Sequence, residues 1–213
     1  MSRCGECGVY ACYRGREENL PPHCPMRVEP AVLDEARGEY QRGENLALAV
    51  NAALVESAGY QKWTRLEEII QFSRRAGFEK LGLAFCVGLR REAAEVVKIL
   101  KQAGFTVVSA MCKTGSVPKE FLGLGEGQKV RPGQFEAMCN PVAQAMLLNR
   151  AGTQFNILLG LCVGHDSLFI KYSAAPVTVL AVKDRVLAHN PLGAIYAAHY
   201  YAAKFNQHAG GSG

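Results

Sequence analysis

Apolar residues follow no regular spacing near the start of the chain. The first 27 residues are instead rich in Cys, Gly, Pro and Arg. A segment of this composition has too few apolar side chains to build a core of its own. We therefore expect residues 1–27 to form a small cysteine-rich module that is organised by a metal or by docking.

Helical spacing of apolar residues begins soon afterwards. It predicts helices over residues 31–40 and 44–57, followed by a third helix that starts at Thr64. Thr64 and Glu67 have the spacing of a capping box, in which each side chain binds a free backbone N–H group at the helix start. These helices form a helical lead-in to the next part of the chain.

From residue 80 onward, short apolar runs alternate with helical patterns. The predicted strands cover residues 80–86, 105–111, 155–162 and 177–183. The predicted helices cover residues 90–102, 141–150, 167–172 and 191–205. Alternation of this kind is typical of a parallel sheet with helices on both faces. The sequence predicts an α/β fold with a Rossmann-like, mostly parallel sheet.

We expect residues 28–208 to form this α/β domain together with its helical lead-in. Residues 209–213 resemble an artificial linker and lie outside the domain. The segment 113–133 is rich in Gly, Pro and charged residues and is too long for an ordinary connection. It is interpreted as a lid or a binding loop.

Charge and hydropathy exclude several classes of partner. The net charge of +5, from 24 Lys and Arg against 19 Asp and Glu, is mild and scattered, so no nucleic-acid partner is expected. No apolar run approaches the ~18 residues that a membrane helix needs. The chain also opens without an apolar signal segment. The expectation is a soluble cytoplasmic protein with no membrane partner.

The eight cysteines form two sets of four. Disulfides belong to oxidising compartments, so metal binding is the favoured explanation here. The first set is Cys4, Cys7, Cys12 and Cys24. Its opening pair, two residues apart, can face one metal, and the uneven spacing favours a [4Fe–4S] cluster. Zinc stays open, with His23 able to replace Cys24, and free thiols are the remaining alternative.

The second set is placed where an α/β fold binds ligands. Cys86, Cys112 and Cys162 each follow a predicted strand, and Cys139 stands before a helix that Asn140 can cap. The carboxyl ends of parallel strands line one crevice, and a helix N-terminus favours the thiolate that metals require. We expect all four to hold an iron–sulfur cofactor. The alternative is that they are ordinary small core residues.

Two neighbours of the second set are candidate catalytic residues. His165 lies three residues after Cys162 and can supply a proton, or simply cap and pack against the next helix. Lys113 follows Cys112 and can neutralise an anionic cluster or substrate, or solvate a loop. A hydrolase that uses Cys162 as nucleophile is chemically allowed, but it has no use for the other cysteines.

The chain resembles a cysteine-rich family of small proteins from anaerobic microbes, described as uncharacterised metal-binding proteins with a domain of unknown function. The matching features are the N-terminal cysteines and the segments 138–141 and 160–166. In architecture, the cysteines at strand ends also resemble the cluster domains of carbon monoxide dehydrogenases and hybrid-cluster proteins. That second resemblance implies iron–sulfur cofactors and leaves the reaction open.

These observations lead to two hypotheses of function. The first is an iron–sulfur protein with two cysteine-ligated centres, which transfers electrons to or from a redox partner protein or reduces a small-molecule substrate. The second is a non-catalytic metal-binding or adaptor module stabilised by zinc.

Overall fold

A computed structural model describes residues 2–207, so His208 and the predicted tail 209–213 lie outside the described residues. The chain divides into two compact units, one extending to Gln61 and the other beginning at Lys62. Within residues 2–207, no helix combines the length and the apolar character needed to cross a bilayer.

The first unit contains three 3-10 turns followed by three α-helices. The helices are α1 (Pro25–Val28), α2 (Pro30–Tyr40) and α3 (Gly43–Gly59). The helices predicted for residues 31–40 and 44–57 therefore cluster with the cysteine-rich segment. A small core is formed by Ala11, Leu20 and Cys24, with Met26 packed against it. Few apolar side chains hold this unit together, as its composition indicates.

The second unit is an α/β fold, as predicted. Its elements are α4 (Arg65–Arg75), β1 (Lys80–Phe85), α5 (Arg90–Gln102), β2 (Thr106–Met111), α6 (Pro141–Arg150), β3 (Phe155–Leu161), α7 (His165–Tyr172), β4 (Val177–Val182), α8 (Leu192–Tyr196) and α9 (Ala198–Gln207). The four strands are all parallel and lie in the order β2-β1-β3-β4. The chain therefore reverses its direction of progress through the sheet between β1 and β3. Ligands of open α/β folds bind outside the strand ends at such a reversal.

Side chains alternate between the two faces of each strand and build two cores. On one face Leu81 and Leu83 of β1 pack with α4 and α5, where Val96 and Leu100 are buried. On the other face Ala84 of β1 packs with residues of α6 and α7. The sheet is covered by helices on both sides, which explains its long apolar strands.

Local sequence signals place most helix starts correctly. Thr64 and Glu67 form the predicted capping box of α4. Asn140 caps α6 as predicted, with its Oδ1 atom accepting the N–H of Ala143 at 3.0 Å. The predicted helix 191–205 is interrupted, because Ala197 leaves the helical conformation and separates α8 from α9.

A buried polar network lies between β3 and the start of β4. Asn156 is fully buried, its Oδ1 atom accepts a hydrogen bond from Thr153 at 2.8 Å, and its Nδ2 atom donates to Ser173 at 2.8 Å. Gly82 on β1 faces this amide. A methyl group at Gly82 would overlap Asn156 Oδ1 and would lie 2.8 Å from Leu148 Cδ1. The network therefore fits only because β1 has no side chain at that position.

Gly82→Ala is expected to lower the free energy of unfolding by about 1–3 kcal/mol, because the added methyl overpacks a core that has no free space. Urea denaturation followed by circular dichroism measures the effect. Gly127→Ala is the matched control, since nothing lies within 4 Å of a methyl group there, and its effect should stay within about 0.5 kcal/mol. Equal stability of the Gly82→Ala variant and the native chain would contradict this description of the core.

Candidate functional site

The register between β1 and β2 brings two cysteines side by side. Phe85 pairs with Met111, so Cys86 and Cys112 are level with each other just beyond the strand ends. Both belong to the core on the α6 side of the sheet, and Cys112 is only 2% exposed. The N–H of Val87 donates to the Cys112 sulfur at 3.3 Å. Two thiols from neighbouring strands therefore share one edge of the sheet.

The start of α6 brings Cys139 to the same place. The backbone N–H of Asn140 donates to the carbonyl of Cys112 at 2.7 Å and fixes the approach of the helix to the sheet. The Nδ2 atom of Asn140 also donates to the carbonyl of Thr114 at 3.4 Å. Cys139 packs against the core that contains Cys86 and Cys112. We call Cys86, Cys112 and Cys139 the thiol trio.

The three thiols of the trio differ in acidity. The neighbouring Cys112 side chain is the main reason that the pKa of Cys86 and the pKa of Cys139 are each lowered to about 5. Their proximity in turn raises the pKa of Cys112, first through Cys139 and then through Cys86. Cys86 and Cys139 therefore deprotonate more easily than Cys112.

Four basic side chains lie around these cysteines. They are Lys113, His165, Lys183 and Arg185. Lys183 contributes to the lowered pKa of Cys86, while Lys113 and His165 contribute to that of Cys139. Lys113 also donates to the carbonyl of Ala137 at 2.5 Å. Among residues 2–207, none of these four side chains forms an ion pair with a carboxylate. Their basic groups are therefore available to the sulfurs and to any anion bound at the edge.

Cys162 has a different environment from the trio. Its sulfur accepts a hydrogen bond from Nη2 of Arg185 at 3.2 Å, and this contact raises the pKa of the guanidinium. Its carbonyl accepts the N–H groups of His165 and Asp166 and so starts α7. Cys86 and Cys139 also contribute to the raised pKa of Arg185.

A tight turn after β4 presents Arg185. Asp184 accepts the N–H groups of Val186 and Leu187 at 2.9 Å each. His189 closes the turn, since its Nδ1 atom accepts the N–H of Asp184 at 3.1 Å. The turn holds Arg185 beside Cys162. His189 is thus a positioning residue.

Gln144 forms hydrogen bonds to the ends of both β1 and β2. It is fully buried in α6, and its Nε2 atom donates to the carbonyls of Ala110 at 2.7 Å and Phe85 at 3.2 Å. Its Oε1 atom is buried without a hydrogen-bond partner in the part of the chain that the structure describes. The sequence carries a signal for this role, because a lone amide interrupts the apolar face of the predicted helix 141–150.

Residues 113–133, which are predicted to form a lid, lie in the connection between β2 and α6. Ion pairs and one β-bridge hold this connection together. Lys119 pairs with Glu136 at 2.5 Å, while Lys129 pairs with Glu126 at 2.6 Å and also with Glu120. Pro118 and Ala137 form an isolated antiparallel bridge at its base. Internal ion pairs therefore hold the segment in shape, and its action as a lid remains a prediction.

The first cysteine set is more open. Cys4 and Cys12 are exposed, Cys7 is half-buried and Cys24 is buried. The N–H groups of Tyr10 and Val9 point at the Cys7 sulfur and lower its pKa. The Nε2 atom of His23 is buried and has no hydrogen-bond partner among the described residues. Binding of one centre by these four cysteines remains a prediction.

Neither set forms a ready site for a single ion. Within residues 2–207, no group of three or more His, Cys, Asp or Glu side chains is arranged to hold one metal ion. A zinc ion holds each sulfur at about 2.3 Å, which requires a tight tetrahedron. A [4Fe–4S] cluster places each thiolate on a different iron and needs a wider cradle. The second set, with thiolates, N–H donors to sulfur and unpaired cations, has the donor chemistry that such a cluster uses.

Comparison with known proteins gives the family. The family model for a protein of unknown function (DUF1847) matches residues 24–180. The chain belongs to this family. An uncharacterised protein of Methanocaldococcus jannaschii, MJ0455, is 43% identical over 198 residues, which cover 93% of this chain and 95% of the relative. No solved structure matches the chain. Residues 24–180, which match the family model, contain the whole second cysteine set. Lys183 and Arg185 lie just beyond this matched region.

In the metal-free protein, Cys139 is expected to react with iodoacetamide at pH 6 and to lose this reactivity as the pH falls through about 5, because only the thiolate attacks. Cys112→Ala removes the hydrogen-bond donor and should shift the midpoint of this profile to higher pH. Lys113→Gln should shift it in the same direction by a smaller amount. Peptide mass spectrometry of the alkylated protein over a pH series measures both shifts.

Lys98→Gln is the matched control, because Lys98 is exposed on α5 and pairs with Glu95. Its profile should coincide with that of the native chain. A Cys139 midpoint near pH 8.5, the ordinary value for a thiol, would show that the trio does not form in solution.

Proposed function

We propose that this protein is an iron–sulfur protein that binds a [4Fe–4S] cluster among the cysteines of the second set, Cys86, Cys112, Cys139 and Cys162, at the carboxyl edge of the sheet. The observation that carries the proposal is the meeting of three thiols from two strands and one helix inside a ring of unpaired cations. Soft thiolates select iron–sulfur clusters and zinc over magnesium or calcium.

The surrounding residues suit such a cofactor in charge and in hydrogen bonding. Cationic side chains and N–H groups stabilise sulfur ligands and adjust the redox behaviour of a bound cluster. Here Val87 donates its N–H to the sulfur of Cys112, and the N–H of Gly88 helps to lower the pKa of Cys86. Bound there, a cluster would supply one-electron transfer.

The location favours activity toward a small molecule or a redox partner. The second set follows the ends of β2, β1 and β3, next to the reversal between β1 and β3, where ligands of this fold class usually bind. In this proposal Lys113 and His165, which both lower the pKa of Cys139, neutralise an anion and supply a proton, respectively. In this proposal the protein transfers electrons to a partner protein or reduces a small substrate.

The first cysteine set would hold a second centre, through which electrons enter. One observation favours the alternative of a zinc-stabilised binding or adaptor module. The buried, unpartnered Nε2 atom of His23, next to Cys24, has the chemistry of a zinc ligand. In that case the first unit is held together by zinc and transfers no electrons.

Protein purified without oxygen should contain iron and acid-labile sulfide, with about four irons per cluster. Cys139→Ala should remove about four irons per chain, because it deletes a trio ligand, and Cys7→Ala should remove the contribution of the first set alone. Elemental analysis for iron and zinc, together with electron paramagnetic resonance of the reduced protein, measures the losses. Ser109→Ala, on the exposed face of β2, is the control and should keep the full metal content.

Two outcomes contradict the proposal. A colourless protein that holds one zinc per chain supports the zinc-stabilised module. A metal content that is unchanged in Cys139→Ala shows that the second set holds no cofactor and consists of ordinary core cysteines.

A further inference from the structure

We propose that the cluster is held by Cys86, Cys112 and Cys139 alone, and that Cys162 is a free thiol paired with Arg185, which leaves one iron open to an anionic small molecule. This inference rests on the proposed function and divides the second cysteine set into ligands and a non-ligand. It distinguishes a site that binds a substrate from one that only passes electrons.

The sheet register sets Cys162 apart from the row of trio cysteines. Phe85 pairs with Leu159, so the residue of β3 that is level with Cys86 is Gly160. Gly160 has no side chain, and one placed there would overlap Leu89 and would lie 3.6 Å from Nζ of Lys183. Cys162 stands two residues further, which is about 6 Å along the strand direction.

A bulge adds to this offset. The pairing of β3 with β4 shifts register around Leu159 and Leu161, and Gly160 between them has a φ of +66°. As a result Leu161, rather than residue 160, packs into the core that contains the trio. One extra residue reverses which face the following side chains occupy. Cys162 therefore does not continue the row formed by Cys86 and Cys112.

Arg185 gives the sulfur of Cys162 a partner of its own. The guanidinium donates to this sulfur at 3.2 Å, and the turn braced by Asp184 and His189 holds it there. The trio, in contrast, shares one core, and the sulfur of Cys112 accepts the N–H of Val87. The geometry joins three sulfurs together and assigns the fourth to an arginine.

The charged side chains around the proposed open iron define the class of ligand that it would bind. Arg185 lies beside Cys162, and Nζ of Lys183 lies near Gly88 and Gly160. Neither is paired with a carboxylate among residues 2–207. An arginine recognises small anions through its planar set of N–H donors. A small anion would therefore bind the open iron beside Arg185, while a cation would be repelled.

Iron content after anaerobic reconstitution of the full chain tests the ligand assignment. Cys86→Ala, Cys112→Ala and Cys139→Ala should each lose about four irons per chain, whereas Cys162→Ala should keep them all. Cyanide is the probe of the open iron. It should change the electron paramagnetic resonance signal of the reduced native chain and of Cys162→Ala, and it should change nothing in Cys139→Ala, where only the first centre remains.

Arg185 is tested separately. Arg185→Gln should keep its iron but bind cyanide about tenfold more weakly, since one charge-assisted contact is lost. Arg185→Lys should restore part of the affinity because it restores the charge. A melting curve followed by circular dichroism verifies that each variant is folded, and Cys162→Ser provides a second form of the key variant.

The outcomes separate the two proposals. If Cys162→Ala loses the same iron as the other three variants, the cluster has four cysteine ligands and the inference is wrong while the proposed function stands. If none of the four variants loses iron, the proposed function fails and the inference fails with it. If Cys162→Ala keeps its iron but cyanide leaves the signal unchanged, no iron is open.

Discussion

The hydrogen-bonded register between β1 and β2 is the constraint on which the candidate site depends. Because Phe85 is level with Met111, the next residues of both strands meet at the edge as a pair of thiols. The fully buried Gln144 binds the carbonyls of Phe85 and Ala110 and so ties both strand ends to α6. A slip of one residue would turn one thiol to the opposite face of the sheet. Position within the sheet, rather than any local motif, creates the cluster of cysteines.

Periodicity in the sequence was sufficient to predict the strands, their parallel arrangement and most of the helix starts. The convergence of Cys86 and Cys112 follows from one general rule, that parallel strands end at a common edge. The rule cannot resolve single residues along that edge. The bulge at Gly160 displaces Cys162 from the row. A lone glycine in a strand is a signal for a bulge, but the pairing of β3 with β4 that fixes its effect depends on the fold. Lys183 and Arg185 follow a strand without any motif, and only the fold brings them to the sulfurs.

Electrostatics and packing act together at the edge of the sheet. Burial alone would keep the thiols of Cys86 and Cys139 protonated, since a charge is costly to place in a poorly solvated site. The side chain of Cys112 and the nearby basic groups outweigh this cost, and the pKa of both neighbours is lowered. The carboxylates of the segment between β2 and α6 form ion pairs with Lys119 and Lys129 of the same segment. These carboxylates are therefore not available to pair with the basic side chains at the edge of the sheet.

The deep burial of Cys112 bears on how the proposed cofactor would be inserted. Its side chain is 2% exposed, because the start of α6 lies against the strand end and the N–H of Asn140 binds the carbonyl of Cys112. A cofactor bound by this sulfur would have to reach it before α6 docks or through a local opening of the first turn of α6. The rate at which the metal-free chain takes up a cofactor would then report the frequency of that opening, and weakening the contact of Asn140 would speed the uptake.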